Sequence, residues 1–502
     1  MPVKKKVFEM RPTVIVAVAV SLILAFVATG PARSQAVPDP VEKAKQAYRT
    51  GDYANAVKEF TRAIQSGPAG ADIFFRRGLA YEAQGKFADA ISDYSRAIGL
   101  DASLDIAYNN RGSVYYKQGD NDRAIKDFDK AIELNPSNAL AYYNRANAHY
   151  RKGELDRAVS DYSRSVELDP SDADAYNNRG WALLQKNQPD KSISDFSRAI
   201  EINPRYSLAY YNRGNALLQK GDPQNSVRDF SKAIDLNPEY ALAYFKRGNA
   251  RAQLESLEEA IEDYNHAVRM NPSYADVYNN RGWVFFRKGN LAQALRDVSK
   301  SLSLDPRLVR AYVNRGWIYQ SQDNWVKAIQ DYSAALALDE KQPALYAYRG
   351  LCYLNANDEG NALQDLDRAV SLNYDDPEVI LLLGALKEKS GDYDRAISLF
   401  TSYVKQEPND ARGHFELGVA LGKAGRLLES AQELSKAIKI DPRHREAYFE
   451  RAIVYEFLGD SRRAQGDLNA ALNLPEPETK PETRSLREPV STAHVREILS
   501  SR

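Results

Sequence analysis

Cysteine is nearly absent. The one cysteine in 502 residues, Cys352, excludes an internal disulfide and any zinc site built on a cysteine cluster. Such scarcity fits any redox compartment, and a small core residue is the expected role of Cys352. Histidine is thin as well. His149, His266, His414, His444 and His494 show neither H-E-x-x-H nor any paired spacing. A phosphate-cradling G-x-x-x-x-G-K motif and a nucleophile elbow are both missing. The sequence therefore predicts no catalytic residue, no metal ligand and no cofactor, and so no enzyme. An excess of charge is missing too. Lys plus Arg is 68 and Asp plus Glu is 68, which argues against nucleic acid as a partner, since that would call for a basic stripe.

What the chain does have is a period. The stretch 105–138 holds two amphipathic helical patterns, split near Gly119 and closed by Pro136. The stretch 139–172 repeats that plan, with Gly153 and Pro170 in the matching places. A frame of 34 residues runs from Val37 to Glu478 without insertion or deletion, giving 13 repeats. Position 8 of each repeat is always small (Gly112, Ala146, Gly180, Gly214), and so is position 20. Position 4 is mostly Tyr, and position 24 mostly Tyr or Phe. At about 100° per residue, positions 4, 8 and 11 form one stripe on the first helix. Positions 20, 24 and 27 form the matching stripe on the second. The small residues are expected to let the two backbones approach, with rings at 4 and 24 beside them. Gly at position 15 suits the turn between helices, and Pro at position 32 stops the second helix.

This spacing resembles the tetratricopeptide repeat, a 34-residue helix–turn–helix unit. The resemblance covers 442 of 502 residues. It implies an all-α fold: a right-handed α-solenoid, or superhelix, of tandem hairpins. Repeats within 71–376 are regular, and those within 377–444 diverge. One feature goes beyond the family pattern. Position 7 is Arg and position 23 is Asp in repeats two to ten and thirteen, for example Arg111 with Asp127 and Arg179 with Asp195. In the eleventh repeat Leu383 and Leu399 replace both. In an antiparallel hairpin the two positions lie level, which predicts a ladder of half-buried structural ion pairs.

The termini differ from the repeats. Lys4, Lys5, Lys6 and Arg11 precede an apolar run from Val14 to Ala28, broken by Gly30 and Pro31. Ser34 and Ala36 complete the signature of a secretory signal peptide spanning 1–36. An uncleaved membrane anchor is the competing reading, because residues 12–32 carry no charge and are numerous enough to span. Both readings send the repeats across the membrane, and the pattern suits bacterial export. The protein is then expected in the periplasm or, if anchored, on the periplasmic side of the inner membrane. Residues 479–502 are rich in Pro and Glu and read as a disordered tail, with a short helix over 492–499.

In tetratricopeptide proteins, positions 2, 6, 9 and 13 line the concave groove, and the resemblance implies the same here. Position 6 supplies Asn110, Asn144, Asn178, Asn212, Asn280 and Asn314; position 9 supplies Trp181, Trp283, Trp317 and Asn215. The row resembles the asparagine ladder in the repeat region of O-GlcNAc transferase, which holds extended polypeptide. A peptide-binding groove is the expectation, serving a non-enzymatic scaffold for protein–protein interaction in the cell envelope. Its rival is an assembly or structural component anchored in the inner membrane and acting through the solenoid ends. The apolar run 380–383 reads either as a partner patch or as a tightened contact between repeats. A carboxylate clamp needs lysines alongside asparagines on the groove face; Tyr143, Asn147, Asn178 and Leu208 occupy the comparable places, so the lysines are missing and such a clamp is not expected.

Overall fold

The computed structural model describes residues 39–474, and among them every regular element is an α-helix. The predicted export segment 1–36, the tail 479–502 and its helix 492–499 lie outside the described residues. Each repeat contributes two helices, numbered α1 (Pro40–Arg49) to α26 (Ser461–Asn473), so odd numbers are first helices and even numbers second. The chain divides between Asn271 and Pro272 into two compact bodies. The first body runs to α14 (Leu257–Met270), and the second starts with α15 (Ala275–Arg287).

Local chemistry sets the ends of the helices. Position 16 is often Asp or Asn, and its side chain caps the second helix. Asp120, Asp222, Asn290 and Asp392 each accept a hydrogen bond from the backbone N–H three residues on, a cap that contributes about 1 kcal/mol. The turn before it needs a left-handed residue. Gly119, Gly153, Gly221 and Gly289 supply it at φ 86°, 79°, 86° and 77°. Asn187, Glu255, Asp323 and Asn357 hold the same conformation without being glycine. Second helices end at position 30, as at Leu134 and Leu168, two residues before the proline.

Packing follows the predicted stripe on the second helix and departs from it on the first. Ala158, Tyr162 and Ser165, at positions 20, 24 and 27, are all buried. The ring at position 24 lies against position 8: a Cβ on Gly214 would stand 2.8 Å from Phe230 Cε1. On the first helix positions 3, 8 and 10 are buried in nearly every repeat, for example Ala141, Ala146 and Ala148, while Tyr142 at position 4 is half-buried. The reason is that a first helix is covered twice, by its own partner and by the neighbouring hairpin. Position 4 serves another end. Its ring lies beside the position 7 arginine of the same helix, with the guanidinium carbon 5.4 Å from the Tyr176 centroid and 5.3 Å from that of Tyr278.

The run 380–383 belongs to the interior. Ile380 and Leu383 are buried among Leu366, Leu399 and Tyr403, with Leu381 and Leu382 packed against the same cluster. It is a contact between repeats and not a partner patch. Cys352 is fully buried as well, and burial pushes its thiol up to about 12.

Candidate functional site

Arg and Asp of each hairpin meet as bidentate pairs. Arg111 Nη2 lies 2.7 Å from Asp127 Oδ1 and its Nε donates to Oδ2; Arg179 Nη2 lies 2.6 Å from Asp195 Oδ1. The same geometry recurs from Arg77–Asp93 to Arg349–Asp365 and again at Arg451–Asp467. The carboxylates are buried, and the hydrogen bond to Asp127 raises the Arg111 pKa. In the first repeat Glu59 takes Arg62 at 2.7 Å.

Most of these guanidinium groups have a third link that the sequence did not disclose. Arg111 Nη1 donates to Ser95 Oγ, Arg179 to Ser163, Arg213 to Ser197 and Arg247 to Ser231, all at position 25 of the preceding repeat. The Ser and Thr recurring at position 25 were the available signal. The charged row is thus a clamp between hairpins.

The asparagines of the first body are committed in a similar way. Asn144 Nδ2 in α7 (Ala139–Arg151) donates to Asn109 Oδ1 at 3.1 Å. Asn178 in α9 (Ala173–Gln185) donates to the Tyr143 hydroxyl at 2.9 Å, and Asn212 in α11 (Ser207–Lys220) to Asn177 Oδ1 at 2.9 Å. Asn110 Oδ1 accepts from Asn109. All four, Asn110, Asn144, Asn178 and Asn212, are buried. The expected row of open amides therefore narrows, because Asn144, Asn178 and Asn212 tie neighbouring first helices together and Asn110 is held by Asn109 of its own helix. Their partners at position 5, Asn109, Tyr143 and Asn177, escaped sequence reasoning, since nothing in one repeat tells which residue of the next it meets.

Other positions of the row stay partly open. Trp181 is half-buried, and its Nε1 donates to the Tyr150 hydroxyl at 2.8 Å. Asn215 is half-buried with Nδ2 on the Tyr211 carbonyl. In the second body Asn280, Trp283, Asn314 and Trp317 are all half-buried. Asn314 Nδ2 donates to Asn279 Oδ1 at 2.9 Å. The rings form a row: Trp283 and Trp317 centroids are 5.2 Å apart, and Trp317 and Tyr348 are 5.5 Å apart. Such half-exposed aromatics bring large apolar area at low entropic cost, the chemistry of a recognition surface.

Among the described residues no group of three or more His, Cys, Asp or Glu is placed to hold a metal ion. A cleft of about 400 Å³ lies beside His149, Asp129, Arg145 and Asp161, but its charges are paired with one another. The His149 hydrogen bond to Glu154 draws that carboxyl down to about 2. Among the described residues no helix is long and apolar enough to cross a membrane.

Comparison with known proteins agrees with the repeat. Family models described as tetratricopeptide repeat match residues 41–105, 109–173 and 381–445, then 173–206, 207–240 and 309–342, and 275–308. One described as TPR repeat matches 248–289. No curated protein matches. Among solved structures, YrrB, described as a TPR protein with an unusual peptide-binding site, is 29% identical. That match spans 37% of this chain and 95% of YrrB, at a TM-score of 0.33. A tetratricopeptide repeat protein from Parabacteroides merdae is 20% identical over 49% of this chain and 98% of its own, with a TM-score of 0.41. MamA is 27% identical over 34% and 93%, with a TM-score of 0.32.

Proposed function

Because the chain belongs to the tetratricopeptide-repeat family, whose proteins generally mediate protein–protein interaction, we propose that it is a non-enzymatic scaffold holding an extended peptide segment or a subunit against its first helices. The half-exposed row Trp283, Trp317 and Tyr348 carries this reading. Asn280 and Asn314 flank the row, and Trp181 with Asn215 offers a smaller counterpart in the first body. The test is a pull-down from an envelope extract with the wild type and with Trp283→Ala plus Trp317→Phe. Loss of the captured partner at an unchanged thermal melt supports the row; the same partner at the same yield refutes it.

Export to the bacterial cell envelope is part of the proposal. The basic start, apolar run and small residues of 1–36 support it. The uncharged length of 12–32 favours a second reading, a component anchored in the inner membrane that acts through its ends. N-terminal sequencing of the mature protein separates them: Val37 as first residue supports cleavage, and an intact Met1 supports the anchor.

A further inference from the structure

Trp181, Trp283 and Trp317 all stand at position 9, yet their indole N–H groups fare differently. Trp181 Nε1 donates to the Tyr150 hydroxyl, 31 residues back at position 12. The same step back from Trp317 reaches Phe286, which has the ring and lacks the oxygen. Among the described residues neither Trp283 nor Trp317 finds a partner for its N–H, and neither group is shut away from water. The second body therefore carries two indole donors open to whatever lies on the row.

Several acceptors beside them are already taken. Asn280 Oδ1 accepts from Asn279 Nδ2 at 3.0 Å, and Asn279 Oδ1 from Asn314 Nδ2 at 2.9 Å, which joins α15 to α17 (Val309–Gln320). Gln320 Oε1 takes the Tyr332 hydroxyl at 3.0 Å. The fitting ligand brings carbonyl oxygens and apolar bulk, and few N–H groups of its own. A helical segment has its carbonyls bonded within itself, and a strand brings N–H groups that would go unmet. A polyproline II segment meets both demands. Its carbonyls make no internal hydrogen bond, and each proline adds a ring without an N–H. The dimensions agree as well. Ring centroids are 5.2 Å apart from Trp283 to Trp317, and 5.5 Å from Trp317 to Tyr348 in α19 (Pro343–Asn355). One polyproline II turn of three residues advances about 9 Å, so two prolines three apart meet the two ends of the row.

On the reading of this row as the peptide-binding surface, we propose that its occupant is a proline-rich segment of another protein, held as polyproline II with P-x-x-P spacing. Its rings lie against Trp283, Trp317 and Tyr348, and its carbonyls accept from the two indole N–H groups. No two of the 22 prolines in this chain stand three residues apart, so the occupant comes from outside it.

Fluorescence anisotropy of fluorescein-labelled decaproline, titrated with the full chain, tests the assignment. Binding is expected to saturate and to be about tenfold tighter than that of a Gly-Ser peptide of equal length, which is not preorganised. Trp317→Phe keeps a ring and drops the donor, and should weaken binding about fivefold, the loss of one hydrogen bond. Phe286→Tyr should weaken it as much, because the added hydroxyl takes the Trp317 N–H as Tyr150 takes that of Trp181. In a Trp317→Phe background Phe286→Tyr is expected to have no further effect, with thermal melts unchanged throughout. No binding of decaproline, equal binding of the Gly-Ser peptide, or a Phe286→Tyr effect that persists without the Trp317 indole overturns the assignment. Should the envelope pull-down still lose its partner on changing Trp283 and Trp317, the row then stands as a surface for another kind of segment. Should that capture also be unchanged, the row itself falls.

Discussion

At Gly180 a single added carbon would stand 2.9 Å from Phe196 Cε1 and 3.2 Å from Asp195 Cβ. Gly180→Ala is therefore expected to cost about 1–3 kcal/mol through overpacking, measured as lost amide protection in α9 and α10 (Pro189–Ile202). Asp323 presents the reverse case. It holds φ 55°, where an L side chain is strained. Asp323→Gly should stabilise the turn by roughly 0.5 kcal/mol, the relief of strain less the entropy that glycine adds to the unfolded chain; urea titration of the paired variants checks it. Cys352 allows a third test. Its thiol, pushed up to about 12 by burial, stays protonated far above neutral pH. Ellman's reagent at pH 8 should leave it untouched in the folded protein and titrate one thiol in denaturant. The core role of Cys352 was legible from its residue type, although position 10 lies off the stripe expected on the first helix. The left-handed turn was legible only where glycine marked it, since Asn187, Glu255, Asp323 and Asn357 adopt it under tertiary constraint.

Between elements, the arginine clamp decides how hairpins join. Arg179 binds Asp195 in its own hairpin and Ser163 in the one before. Removing one partner leaves a buried ion alone. Arg179→Leu should destabilise the fifth hairpin by about 3–5 kcal/mol, while Arg179→Leu with Asp195→Leu should recover a large part of that loss. The eleventh repeat already carries such a double replacement: Leu383 and Leu399 sit together in one buried cluster. Comparing the two variants by hydrogen exchange checks the coupling. The pairing of positions 7 and 23 could be foreseen because both stand eight residues from the same turn. The serine at position 25 and the amide links at positions 5 and 6 could not, since they depend on the register between repeats, which periodicity leaves open.

For the whole molecule, helix number and order followed from the frame, because thirteen hairpins at one period leave little else to fit. The candidate surface was less readable. Position 6 is asparagine in repeats three to six, eight and nine, yet burial separates the four committed amides from the half-open Asn280 and Asn314. That difference arises from which side chain stands opposite, a property of pairs of repeats. The reach of each arginine has a consequence for chain length. Arg213 finds Asp229 sixteen residues ahead and Ser197 sixteen behind. Excising 207–240 would bring Ser197 to where Arg247 now finds Ser231, with Asp263 still at hand. Circular dichroism of that deletion should show native helicity per residue and a cooperative melt. Loss of 207–223, half a period, should abolish both. Whole periods are thus the coin in which this chain can be lengthened or shortened, and its seams will close over the cut.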